Sequence, residues 1–215
     1  MKSLVLKDLY NIVRNIKSIL FIMVIFAFVF IPSSGIEGYI FVCAVMCSMM
    51  IVTTFSFDDV AKWTRYAMIT PISRKDLVAG KFVVLAIFCA MGSLFGLVAG
   101  TIGSAILKKI SFDLAGIEQT LFLTLSAWAV SLVMGSISIP FVFKFGAEKG
   151  RVLLLVSFLL PAGIGFGIYK ILTALGIVLT DHIIYILLCC SPLVALAWCY
   201  AMYKISYCVF AKQEL

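Results

Sequence analysis

Uncharged runs of 19, 20, 26, 25, 18 and 21 residues follow one another along this chain, separated by short polar segments. Each is near the ~20 apolar residues that an α-helix needs to cross a bilayer. None alternates apolar and polar positions as membrane barrel strands do. The pattern therefore predicts an all-α integral membrane protein, one domain over 1–215. Its six transmembrane helices fall at about 18–35, 38–57, 82–107, 119–143, 152–169 and 183–203.

Residues before the first run carry a different period. Leu6, Leu9, Val13 and Ile16 share one helical face, and Lys7, Asn11 and Arg14 another. That spacing predicts an amphipathic interfacial helix over 3–17, lying in the headgroup plane; the plainer alternative is a polar start to span 1.

Charge then orients the array. With the N-terminus inside, 14 of the 17 Lys and Arg fall in cytoplasmic segments, and only Lys108, Lys109 and Lys170 lie outside. This asymmetry follows the positive-inside rule and places both termini in the cytoplasm. The net charge of +7 thus reads as topology, and nucleic acid is not an expected partner. At 64% apolar and 13% charged, the chain has more apolar surface than a soluble core of its length hides. The first apolar run lacks a small-residue cleavage site, so no removable signal peptide is expected.

Several chemistries are missing. Proton- and ion-coupled transporters place ionisable groups within the bilayer, and the six runs have none. No phosphate-binding loop of the form G-x-x-x-x-G-K-[ST] occurs, and GIGFG at 163–167 lacks the strand–turn–helix setting of a nucleotide fingerprint. The seven Cys show no paired C-x-x-C spacing and read as small apolar side chains. His182 stands beside Asp181 without a second His. No catalytic residue, metal ligand or cofactor site is expected in this chain, and no enzymatic activity.

The long polar island 57–81, FDDVAKWTRYAMITPISRKDLVAGK, is the exception. Asp58 and Asp59 follow Thr53-Thr54-Phe55, read as an extended end to span 2, and are placed at a helix start where the dipole favours acids. Val60, Trp63 and Ala67 continue that helix to Met68. Pro71 stops it. Ser73-Arg74-Lys75-Asp76 reads as a capping box opening a second helix that runs through Lys81 into span 3. The product is a surface helix, a corner and a lever continuous with a span. Trp63 suits either a socket in a soluble partner or the headgroup belt. The bland alternative is a solvated loop that only fixes topology.

Elsewhere, Pro32-Ser33-Ser34-Gly35 predicts a tight outer turn. Gly92, Gly96 and Gly100, with Gly103 beyond, form a small-residue ridge for close helix packing, expected within the chain rather than across a dimer. The outer segment 108–118 fits a short interfacial helix. Pro140, Pro161 and Pro192 predict kinks or local unwinding in spans 4, 5 and 6. Span 5, with Gly163, Gly165 and Gly167 near its Pro, reads as the most deformable.

Two motifs carry a resemblance that extends over the whole chain. The pattern D-D-x-x-x-W-x-x-x-x-x-x-x-P-I-S-R-K-x-x-V-x-x-K from Asp58 to Lys81 resembles the first cytoplasmic loop of small ABC-2 type transporter permeases. Residues 139–151, IPFVFKFGAEKGR, resemble the same group's segment after span 4. Within it the chain is most similar to bacterial exporters of phenol-soluble modulins and antimicrobial peptides. The resemblance implies a permease subunit in the bacterial cell membrane that exports amphipathic peptides or other hydrophobic substrates. It implies two copies of a separate ABC ATPase, which hold the ATP and Mg, and a second permease subunit forming a homodimer or heterodimer. It casts 58–68 as the coupling helix, so the ATPase-coupling residues would be Asp58, Asp59, Lys62, Trp63, Arg65, Tyr66, Arg74 and Lys75. Lys144, Glu148, Lys149 and Arg151 would form a second cytoplasmic loop meeting the ATPase or lipid. The competing expectation is a non-transporting immunity or sensor subunit that sequesters antimicrobial peptides.

Overall fold

The computed structural model describes residues 2–13, 15–69, 72–107, 114–174 and 181–212, and all regular structure among them is helical. The helices are α1 Lys2–Val13, α2 Ile16–Val60, α3 Trp63–Ile69, α4 Arg74–Ile106, α5 Leu114–Ala174 and α6 Asp181–Ala211. α2 and α5 are each two helices joined at one glycine, Gly35 (φ 73°, ψ −169°) and Gly146 (φ 80°, ψ 167°). At positive φ with ψ near 180° a Cβ is strained by about 1–3 kcal/mol, so glycine lets the chain turn with no intervening loop.

Ile16–Val60, Arg74–Ile106, Gly116–Ala147 and Cys190–Ala211 are long and apolar enough to cross a membrane, and Val152–Gly167 is a shorter apolar helix. The first two expected spans fall on the arms of α2, the third within α4, the fourth and fifth on the arms of α5, and the sixth within α6. Their outward faces carry exposed Phe21, Phe28, Leu94, Leu121, Leu159 and Leu193. Large apolar side chains turned outward on every long helix are what a lipid solvent favours.

At Gly35 the arms of α2 fold back on each other. Met23 and Ile31 of the first pack with Tyr39 and Cys43 of the second, and the Tyr39 hydroxyl donates to the Met23 carbonyl at 3.2 Å. The expected turn over residues 32–35 shrinks to one residue, because the helix runs through Pro32, Ser33 and Ser34. Pro140, Pro161 and Pro192 likewise sit inside continuous helix; α5 breaks at Gly146 instead. The expected outer helix lies mostly at 108–113, outside the described residues, and 114–118 belong to α5.

The glycine ridge of α4 packs within the chain. A Cβ on Gly92 would stand 2.6 Å from the Cys47 Cβ and 2.7 Å from the Cys43 carbonyl oxygen. Gly96 faces Ile40, Gly100 faces Ile36 and Tyr39, and Gly103 faces Ile31. Backbone this close leaves no route for relaxation. Gly92→Ala is expected to destabilise the fold by about 1–3 kcal/mol through overpacking. Gly163→Ala, where a Cβ meets nothing within 4 Å, is expected to be neutral or slightly stabilising through helix propensity. Thermal melting of the two variants in detergent tests this pair; equal midpoints would refute the packing argument.

The largest core gathers at the bundle end that carries α1 and α3. There Phe143 lies between Phe55 and Phe210, with ring centroids 5.0 and 4.9 Å away, and α1 adds Ile12 and α3 adds Ala67. The described cysteines Cys43, Cys47, Cys89, Cys190, Cys199 and Cys208 are free thiols.

Candidate functional site

The island 57–81 begins differently from its sequence reading. Thr53-Thr54-Phe55 is helical, not extended, and α2 continues to Val60. The β-branched pair is accommodated because Thr54 is fully buried and its hydroxyl donates back to the Ile51 carbonyl at 2.7 Å. Asp58 and Asp59 therefore sit in the last turn of α2, where the helix dipole disfavours an acid, and not at a helix start. Lys62, with φ 50°, is the described non-glycine residue in the left-handed region; its N–H donates to the Asp59 carbonyl. That conformation ends α2 as a glycine would and starts α3 at Trp63.

What offsets the dipole is a closed ring of charge. Lys7 of α1 pairs with Asp58, and at 3.1 Å with its neighbour Asp8. Lys81 of α4 pairs with Asp58 at 2.6 Å and with Asp8 at 2.8 Å. Each carboxylate oxygen faces one ammonium, and the four charges sum to zero. Asp8, Asp58 and Lys81 are only 3%, 5% and 3% exposed. Charges so far from water persist only where they are paired; the Asp8 Oδ1 accepts no hydrogen bond and rests on its ion pair with Lys7. Lys81 also donates to the Thr54 hydroxyl and lies 4.6 Å from the Phe55 ring centroid. Lys7 lies 4.7 Å from the centre of the Trp63 indole.

The ring joins α1, α2 and α4, and through Trp63 it reaches α3. Asp59 extends it sideways, accepting from the Ala147 N–H at 2.8 Å just past the Gly146 turn. The 58–81 and 144–151 segments, apart in sequence, thus meet at one end of the bundle. Between them runs a cleft of about 440 Å³ whose lining includes Asp59, Lys62, Phe143 and Lys144.

The capping box is present: the Ser73 hydroxyl accepts from the Asp76 N–H at 3.1 Å and donates to the Asp76 carboxylate at 2.8 Å, opening α4 at Arg74. Arg74 and the exposed Lys75 reach across to α6. The Arg74 guanidinium donates to the carbonyls of Phe210 (3.3 Å) and Ala211 (2.7 Å), closing the end of that helix, and Lys75 sits 5.7 Å from the Tyr207 ring centre. Trp63 packs half-buried against the main core. The outward side of the segment carries large apolar residues, Val60, Tyr66 and Ile69 at 86%, 68% and 84% exposed, beside the exposed charges of Asp59 and Lys62. Lys144 and Lys149 are exposed as well. The side chains of Arg65, Glu148 and Arg151, and the Thr70-Pro71 corner, lie outside the described residues.

Sequence reasoning passed over Lys7, Asp8 and the pairing role of Lys81. A signal existed. Leu4, Asp8 and Ile12 recur every fourth residue on the buried face of α1, so an acid stands in the middle of an apolar stripe. The face read as amphipathic divides in two: Leu9 packs on the core, while Leu6 and Val13 are exposed with Tyr10.

Among the described residues no group of three or more His, Cys, Asp and Glu side chains is placed to hold a metal ion. Compared with known families, the chain matches the model described as ABC-2 family transporter protein over residues 3–211. Comparisons with curated proteins and with solved structures gave no match.

Proposed function

The chain belongs to the ABC-2 transporter family, and from that premise we infer that it is a permease subunit driven by a separate ABC ATPase through α3. One observation carries the reading. Val60 at the end of α2 and Tyr66 and Ile69 of α3 face outward, while Trp63 and Ala67 anchor the other side of α3 to the core. Large exposed apolar side chains flanked by the charges of Asp59 and Lys62 suit a groove on a soluble partner.

In this reading the chain crosses the membrane six times, with both termini, α1, α3 and the Gly146 turn on the cytoplasmic side. The contacts of Asp59 with Ala147 and of Arg74 with the end of α6 support that arrangement, since they bring the basic segments to one end. Two ATPase copies hold ATP and Mg, and two permease subunits, identical or paired with a sister chain, complete the transporter. Closure of the ATPases pushes α3, and the lever of α4 carries the push into the bilayer. A path through apolar helices without ionisable groups suits amphipathic peptides and other hydrophobic cargo.

The test is transport by the chain purified with its ATPase and reconstituted in vesicles. ATP-dependent movement of a fluorescent amphipathic peptide, lost when the Walker lysine of the ATPase is replaced, is the expected result. Peptide capture that survives that replacement would support the immunity or sensor reading and overturn this one.

A further inference from the structure

The ring of Lys7, Asp8, Asp58 and Lys81 places half of its charges on a helix outside the membrane-crossing set. α1 also makes apolar contacts: Leu4 and Ile12 are buried, and Val5 and Leu9 pack on the core. A surface helix that needs only apolar contacts gains nothing from burying the Asp8 carboxylate and drawing a part-exposed Lys7 onto it, since a buried charge costs desolvation that water does not. What the pair adds is a directional attachment. Apolar surfaces slide over one another with little penalty, whereas alternating charges 2.6–3.1 Å apart fix one register.

The register is fixed to the elements that move in the proposed cycle. Asp58 lies four residues before Lys62, where α2 gives way to α3, and Lys81 lies on the lever of α4. Lys7 stands over the indole of Trp63, itself the first residue of α3. Any displacement of α3 or of the start of α4 therefore pulls on the two ring residues of α1, Lys7 and Asp8.

We propose that α1 is a transmission arm, locked by the four-charge ring to the coupling segment so that α1, α3 and the cytoplasmic half of α4 move as one body. Lys7 and Asp8 are positioning residues: they touch no nucleotide and no cargo, and act through Asp58 and Lys81. The inference rests on the permease reading above, and goes beyond it by giving the amphipathic helix a mechanical task instead of an anchoring one.

The test uses the reconstituted complex with its ATPase and measures peptide moved per ATP hydrolysed. Lys7→Met with Asp8→Leu removes the α1 half of the ring and leaves Asp58 and Lys81 as a neutral pair, so the fold survives. Hydrolysis is expected to stay near wild type while peptide moved per ATP falls on the order of tenfold, one factor that ~1.4 kcal/mol of lost coupling represents. A covalent substitute is then supplied. A Cβ built on Gly80 stands 3.7 Å from that of Leu4, within the span a disulfide bridges. Leu4→Cys with Gly80→Cys, oxidised, is expected to restore transport per ATP to the double variant and to leave the otherwise wild-type chain active. Each single cysteine serves as control for the native thiols. Unchanged coupling in the Met/Leu variant, or a block of the wild-type cycle by the cross-link, overturns the transmission arm while the permease reading stands. A wild-type complex that moves no peptide with ATP overturns the permease reading and the arm with it.

Discussion

Asp58→Asn is expected to cost about 3–5 kcal/mol of stability, the usual penalty for removing one partner of a buried charge pair. Asn preserves the shape and withdraws the charge, so Lys7 and Lys81 are left sharing Asp8. Lys81, at 3% exposed, has no water to turn to, and the Thr54 hydroxyl that accepts from it at 3.2 Å carries no charge. By the scaling for chains of this length, even 3 kcal/mol lowers the melting midpoint by about 6–12 °C. Unfolding is read with a thiol-reactive dye in detergent, since Cys43 and Cys89 are buried and label only once the bundle opens. Asp59→Asn is the control. Asp59 is exposed and loses only the charge on one hydrogen bond, which bounds its effect at about 1 kcal/mol. Removing a whole pair with Asp58→Leu and Lys81→Met leaves Lys7 with Asp8 and is expected to recover most of the loss. Equal midpoints for Asp58→Asn and Asp59→Asn would refute the ring as a unit.

The second large effect concerns the ATPase. Tyr66→Ala together with Ile69→Ala is expected to weaken its association by tens-fold, roughly 2 kcal/mol and the size of one aromatic hot spot. Both side chains are more than two-thirds exposed, so the melting midpoint of the isolated chain should hardly move. Trp63→Ala is expected to do the reverse. Its indole packs on the core beneath Lys7, and truncation there lowers stability while leaving the outward patch in place. Titrating purified ATPase against the immobilised chain, beside melting curves, separates the two. Loss of binding with Trp63→Ala at unchanged stability would return the tryptophan to the interface and refute the outward patch.

The contrast between Trp63 and Tyr66 shows where sequence reading stops. The apolar runs, the capping box at Ser73 and the glycine ridge of α4 are legible because each is a local rule: a composition, a four-residue motif, a four-residue period. Their structural counterparts agree. Residue roles around 57–81 were not legible in the same way, because partners from distant elements set them. Lys7 and Asp58 are 51 positions apart, Arg74 and Ala211 137, and no local pattern announces either pair. Helix ends failed for a related reason. Thr53-Thr54 and Pro32 are locally poor in helices, yet burial and lipid-like surroundings penalise an unpaired backbone more. The chain keeps its helices through both and turns at Gly35 and at Lys62, positions that take a positive φ.

The ring also sets a timetable for synthesis. Its members stand at positions 7, 8, 58 and 81, so no nascent chain ending before Lys81 can close it. Of the four, Lys7 and Asp8 leave the ribosome first and stay solvated while both arms of α2 are made. α1 is thus sealed against the bundle only after the hairpin at Gly35 and the start of α4 are in place. A protease that cleaves at Lys7 would find ready access in chains truncated before residue 81 and lose it in the full-length chain, marking the moment at which this end of the bundle acquires its final form.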